Sequence, residues 1–137
     1  MATVQDIVTG AMRKLGVLHA NQTPTATDSA YALDELNGMM KALNGRQVYV
    51  NWETRTLTQD FPLEEKHEDG VKAMLACQIS SGFGGDSLVS GELRRQKKMG
   101  YARLFGDYHN AEVMGVDNYL DDMPSQRLFI TGNVAGN

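Results

Sequence analysis

The chain carries one cysteine, three prolines, few aromatic residues and no long apolar run. Each scarcity excludes something. A lone thiol, Cys77, makes no internal disulfide, so the fold must rest on packing, and a reducing compartment fits. Cys77 lies beside Leu75 and Ala76 in a helical stretch and reads as a small buried apolar residue rather than a reactive thiol. No stretch approaches the roughly 20 apolar residues that span a bilayer. No basic stretch precedes an apolar run near the start, so no secretory signal is expected. The net charge of −4 gives no general attraction for nucleic acid or an anionic membrane.

What remains describes an ordinary soluble globule. A chain of 137 residues, 42% hydrophobic and 22% charged, fits one domain. A domain of that size buries roughly two-thirds of the surface its unfolded chain exposes. The 8 methionines fall mostly in helical patterns, where an unbranched thioether fills irregular gaps.

The hydrophobic period predicts four helices. Thr3 and Asp6 form a capping box; Val4, Ile7, Val8, Ala11, Met12 and Leu15 then share one face, and Gly16 closes the helix. Asn21, Gln22, Thr23 and Pro24 make a turn. Thr25 and Asp28 start a second helix, whose expected face is Ala26, Ala30, Leu33, Leu36, Met40 and Leu43, with Ala32 and Met39 on its flank. Gly38 weakens it and suggests a close helix contact. Phe61, Pro62 and Leu63 end an extended stretch. Glu64 then opens a third helix with Val71, Met74, Leu75 and Ile79 inward. Ser80 to Gly85 breaks the chain, and a last helix starts at Asp86 or Ser87, running through Leu88, Leu93, Tyr101, Leu104, Phe105 and Tyr108.

Between the second and third helices, Val48, Val50 and Trp52 alternate with Tyr49, Asn51 and Glu53, which is strand period. Residues 54–58 either continue this strand or return as its partner, giving a hairpin-like segment over about 47–60. An isolated hairpin is marginal in water, so it must lie on the helices or on another chain. Beyond residue 110 the apolar residues lose helical period. The expected class is therefore mostly α: a four-helix body over 1–110, a short extended segment within it, and an extended C-terminal arm over 111–137.

No constellation in the chain carries evident chemistry. His67, Glu68 and Asp69 lack a second histidine at helical zinc spacing, and they read as an acidic first turn. The glycines at 82, 84 and 85 lack the lysine of a phosphate loop and read as a turn between helices. Asp117, Asp121 and Asp122 lack the spacing and closing glutamate of an EF-hand. No catalytic residue, cofactor or metal site is expected. The one basic cluster is Arg94, Arg95, Lys97, Lys98 and Arg103, with positions 94, 97, 98 and 101 on one side of a helix. A solvated or intersubunit face is the plain reading of it. A small DNA-binding or regulatory protein is the alternative, and a hydrolase would need an acid pair in a cleft. The arm has too little patterned apolar surface to order alone, given roughly 1–2 kcal/mol of backbone entropy per residue. Tyr119, Leu120, Leu128, Phe129 and Ile130 are its natural anchors on a partner surface, the alternative being that they pack back on their own domain, and 127–131 has the β-propensity to add to a neighbour's edge.

Three segments in this order resemble the head-to-tail connector, or adaptor, proteins of tailed bacteriophages, the family that includes the tail accessory factor and packaged-DNA stabilisation protein. The first joins Asp6, Ile7 and Val8 to Arg13, Lys14, Leu15 and Gly16, followed by a Thr-rich loop and Asp34, Glu35, Leu36, Asn37, Gly38, Met39 and Met40. The second runs from Phe61, Pro62 and Leu63 to Ala73, Met74, Leu75, Ala76, Cys77, Gln78 and Ile79, and the third is the glycine break with the helix after it. Together they cover roughly three-quarters of the chain. The resemblance implies a structural virion protein, not an enzyme. Such a protein forms a ring, commonly of twelve copies, beneath the portal protein and joins a downstream tail component, and DNA passes through its lumen without sequence-specific binding. It implies residence at the head–tail junction of the virion, and in the host cytoplasm during assembly, away from membranes. Candidate portal or subunit contacts are Tyr119, Leu120, Arg127, Leu128, Phe129 and Ile130 on the arm, with Arg94, Arg95 and Lys98 on the last helix.

Overall fold

The computed structural model describes residues 2–109. It is mostly helical, with four helices: α1 (Val4–Leu15), α2 (Ala26–Gly45), α3 (Glu68–Phe83) and α4 (Gly91–Tyr108). The arm, residues 111–137, lies outside the described residues.

Helix α1 follows its sequence signals closely. The Thr3 side chain accepts from the Asp6 amide, the Asp6 side chain accepts from the Thr3 amide, and Gly16 adopts φ 87° at the C-cap. The six apolar residues of the expected face are all buried. The first amides of the helix, which have no intrahelical partner, find carbonyls elsewhere: Val4 donates to Gln59 at 2.9 Å and Gln5 to Leu57 at 3.0 Å.

Helix α2 buries the expected Leu36, Met40 and Leu43, with Ala32 from the flank, but departs from the expected face elsewhere. Ala26 and Ala30 are exposed and Leu33 is half-buried, whereas Ser29 and Asn37 are buried with Ala32, Leu36, Met40 and Leu43. The alanines have little surface to bury, and Asn37 has a structural task described below. Gly38 makes no close helix contact, since a Cβ there would meet nothing within 4 Å.

Helix α3 is the central element and packs against α1, α2 and α4. It is buried more fully than its apolar side suggested, with Gly70, Ala73, Ala76 and Ser80 inside as well as Val71, Met74, Leu75 and Ile79. A single 3-10 turn, Glu65–His67, precedes it, so α3 begins later than Glu64. The break also comes later than expected: the helix continues through Ser80 to Phe83, and Gly84 and Gly85 turn the chain at φ 144° and 96°. Such angles suit residues without a Cβ. A second 3-10 turn, Asp86–Leu88, holds the residues expected to start the last helix. The true N-cap of α4 is Ser90, whose side chain accepts from the Leu93 amide at 3.1 Å. A serine hydroxyl there satisfies an amide that Asp86 is too far upstream to reach.

The closest helix approach is one the sequence reading missed. At the crossing of α3 and α4, a Cβ on Gly100 would lie 2.6 Å from the Gly70 Cα, and a Cβ on Gly70 would lie 2.7 Å from the Gly100 Cα. Backbone meets backbone, and only glycine on both sides permits it.

The extended segment alternates as expected. Val48, Val50 and Trp52 are buried, while Tyr49, Asn51 and Glu53 are exposed. No strand forms among the described residues, however; apart from two local turns, Val50 to Val48 and Gln59 to Thr56, the segment's backbone bonds reach other elements. Val48 donates to Leu43 at 2.9 Å, Tyr49 to Tyr108 at 3.0 Å, and Phe61 to Ala2 at 2.9 Å. Isolated bridges pair Val48 with His109 and Thr3 with Asp60. The segment is a strap that ties the end of α2 and the end of α4 to the start of α1.

Asn37 fastens the middle of that strap. Its Oδ1 accepts from Trp52 Nε1 at 2.9 Å and from the Arg55 amide at 3.0 Å, and its Nδ2 donates to the Arg55 carbonyl at 3.1 Å. Trp52 in turn packs against Phe61, the largest fully buried side chain, at 6.0 Å between ring centroids. The strap therefore takes its contacts from its own helices.

Candidate functional site

Two surface features combine chemistry with shape. The first is a groove of about 470 Å³ between α2 and α4, floored by α3. Met39 and Leu43 form one wall, Met74 lies below, Tyr101 closes the far wall, and Gly38 leaves the near wall low. Arg46, Lys97 and Lys98 form the rim, and among the described residues no carboxylate lines it. Glu35, on the α2 side, is engaged by Gln78 Nε2 at 3.0 Å. Among the described residues no ion pair joins Arg46, Lys97 or Lys98. The result is an apolar trough with an unneutralised basic edge.

The basic cluster expected on the last helix is thereby divided. Lys97 and Lys98 face the groove. Arg95 turns to another side, where it donates to Glu92 at 2.9 and 2.6 Å and to Met99 Sδ at 2.8 Å. That pairing, led by the hydrogen bond from Arg95, holds the Glu92 carboxyl down at about 2. Arg95 and Arg103 border a separate depression with Asp69 and Gly70. Arg94 and Lys97 sit close enough to Cys77 to favour its thiolate, but burial outweighs them and pushes the thiol up. Cys77 is half-buried rather than fully enclosed as the sequence suggested.

The second feature lies where the first 3-10 turn meets the end of α4. Glu64, His67 and Asp107 bring ligand-type atoms within 4.8 Å of one another. His67 is buried, and its Nε2 lies 2.8 Å from Asp107 Oδ2. The sequence reading was right to leave Glu68 and Asp69 as helix-start acids, but it missed the partner of His67, which comes forty residues later. The cluster already holds a cation: Lys66 Nζ is 3.0 Å from Asp107 and 3.7 Å from Glu64. With that ammonium seated among the carboxylates, the arrangement works as a clasp between the 3-10 turn and α4, backed by Tyr108 at 5.5 Å from the His67 ring.

The clasp has a pH signature. The hydrogen bond from Lys66 and then that from His67 hold the Asp107 carboxyl below its ordinary value. A depressed carboxyl stabilises the fold above its unfolded pKa and stops doing so as pH falls through its folded pKa. Asp107→Asn should therefore lower the thermal midpoint at pH 7, with the gap between variant and parent closing as the pH is taken below the ordinary aspartate value of 3.8. Thermal melts across that range check it; a gap that persists unchanged in acid would show that the carboxylate charge is not what matters.

Of the residues singled out from the sequence, Arg94, Arg95 and Lys98 are exposed on α4. Tyr119, Leu120, Arg127, Leu128, Phe129 and Ile130, together with the three arm aspartates, lie outside the described residues. Arg46 joins the basic rim although no periodic signal marked it; it caps α2 and reaches Lys97 and Lys98 only through the fold. Among the described residues, no helix is long and apolar enough to cross a membrane. No family model matches the chain, and no curated protein matches it.

Proposed function

We propose that the protein is a head-to-tail adaptor of a tailed bacteriophage: a structural subunit that assembles as a ring on the portal protein, extends the DNA channel and receives a downstream tail component. The resemblance of the three segments suggests this role. The structural observation that supports it is that the described residues build one continuous core from all four helices and the strap. Tyr119, Leu120, Leu128, Phe129 and Ile130 lie outside the described residues, and in this reading they serve a neighbour. Large apolar side chains outside a completed core are the means by which a segment binds something else.

Helix α4 supports the same reading. Only Leu93, Gly100 and Leu104 are buried along its 18 residues, while Met99 and Phe105 stand 39% exposed beside its arginines and lysines. An amphipathic helix with so narrow a buried stripe offers its outer face to a neighbouring subunit. Ring closure then adds avidity without further contact chemistry. The arm supplies the portal contacts, with 127–131 able to extend a neighbour's sheet edge. In this reading the protein works in the virion at the head–tail junction, after assembly in the host cytoplasm.

The DNA-binding alternative would draw on Arg95 together with Arg94, Lys97 and Lys98, and here Arg95 is engaged by Glu92 and turned away from Lys97 and Lys98. Deleting residues 111–137 tests the proposal. The truncated chain should keep its helical circular-dichroism signal and lose attachment to the portal. Loss of the helical signal would mean that the arm completes the core, and retained attachment would move the docking surface to the body.

A further inference from the structure

The groove between α2 and α4 has an apolar floor and a basic rim, and the chain that leaves α4 carries the opposite pattern. Residues 110–137 contain four carboxylates, Glu112, Asp117, Asp121 and Asp122, against one cation, Arg127. Three of the four flank Tyr119 and Leu120, the two large apolar residues within 117–122. We propose that in the free subunit residues 117–122 of the same chain seat in this groove. Tyr119 and Leu120 lie on Met39 and Met74, and the aspartates meet Lys97, Lys98 and Arg46.

Reach favours the chain's own groove. Along α4, Tyr101 lies about 10 Å and Lys97 about 16 Å back from Tyr108, at 1.5 Å per residue. The roughly seven residues of 110–116 extend to about 24 Å, enough to turn and run back alongside the helix. A tether that short holds the segment at an effective concentration in the millimolar range, above that of any second copy in a dilute solution. Charge complementarity sets the register: among the described residues no carboxylate lines the groove and no ion pair neutralises its three cations. Seating covers the apolar trough and leaves Arg127, Leu128, Phe129 and Ile130 beyond it. The inference concerns the unassembled subunit and stands whether or not the ring forms.

Zero-length carbodiimide coupling of the full-length protein tests it, using an equal mixture of unlabelled and 15N-labelled chains. The expected result is amide linkage of Lys97 or Lys98 to Asp117, Asp121 or Asp122, in peptide pairs that are wholly light or wholly heavy. The Lys66–Asp107 pair, at 3.0 Å, serves as the internal control. A Tyr119→Ala, Leu120→Ala double variant, which keeps every carboxylate, should lower the Lys97 and Lys98 links at least fivefold and leave the control link unchanged. Three results would overturn the proposal: the control link without the groove links, mixed light–heavy pairs (a second copy as occupant), or groove links indifferent to the double variant.

Discussion

Gly100→Ala melts well below the parent chain, despite replacing the poorest ordinary helix former with the best. The propensity gain is about 1 kcal/mol. Against it, the new methyl would sit 2.6 Å from the Gly70 Cα and 2.9 Å from the Gly70 carbonyl oxygen. Those are backbone atoms and cannot swing aside as a side chain does, so α3 and α4 must separate along their whole contact. Overpacking of this kind costs about 1–3 kcal/mol and more where backbone must move. A net loss of about 2 kcal/mol corresponds to a fall of roughly 6–10 °C in the midpoint for a chain of this size. Gly38→Ala is the matched control. Its Cβ meets nothing within 4 Å, so it should hold or raise the midpoint. Equal midpoints for Gly100→Ala and the parent, followed by circular dichroism, would mean that the two helices do not cross this closely.

Asn37→Ala is the second large effect expected. It removes the acceptor for Trp52 Nε1 and the Arg55 amide and the donor to the Arg55 carbonyl. Leaving a buried polar group unsatisfied costs about 1–3 kcal/mol, and here the indole and at least one backbone group are stranded together. A loss of about 2–4 kcal/mol follows, with water reaching the less buried Arg55 groups and offsetting part of it. Trp52 is the one tryptophan in the chain, so its fluorescence reports the strap directly. The variant's native-state emission should shift to the red and its urea midpoint should fall. An unshifted emission with an unchanged midpoint would mean that burial of Val48, Val50 and Trp52 alone holds the strap.

These two positions mark the boundary of what the sequence disclosed. Helix α1 was fully legible because its signals are local: Thr3 and Asp6 cap within one turn, and its six apolar residues repeat without interruption. The alternation from Val48 to Glu53 was legible for the same reason. Asn37 was not, because its partners lie 15 and 18 residues away and a polar residue on a helix ordinarily points outward. Gly70 and Gly100 were silent because a helical glycine looks the same whether it relieves a crossing or merely weakens a turn. The buried face of α2 was misjudged at Ser29 and Asn37, because polar residues on a helix were not expected inside, and at Ala26 and Ala30, which have little surface to bury. Of the candidate site, the cations of α4 were visible, but their division between two faces, the addition of Arg46 and the pairing of His67 with Asp107 all depend on tertiary contacts. The arm residues lie outside the described chain, so what they bind rests on the proposals above.

The central claim is architectural, and imaging tests it most directly. Purified full-length protein mixed with its cognate portal ring and examined by electron microscopy should give portals bearing an added ring of this chain, coaxial with the channel and present in many copies per portal. A protein that remains a free monomer beside bare portals, at concentrations where the portal ring is intact, would contradict the account.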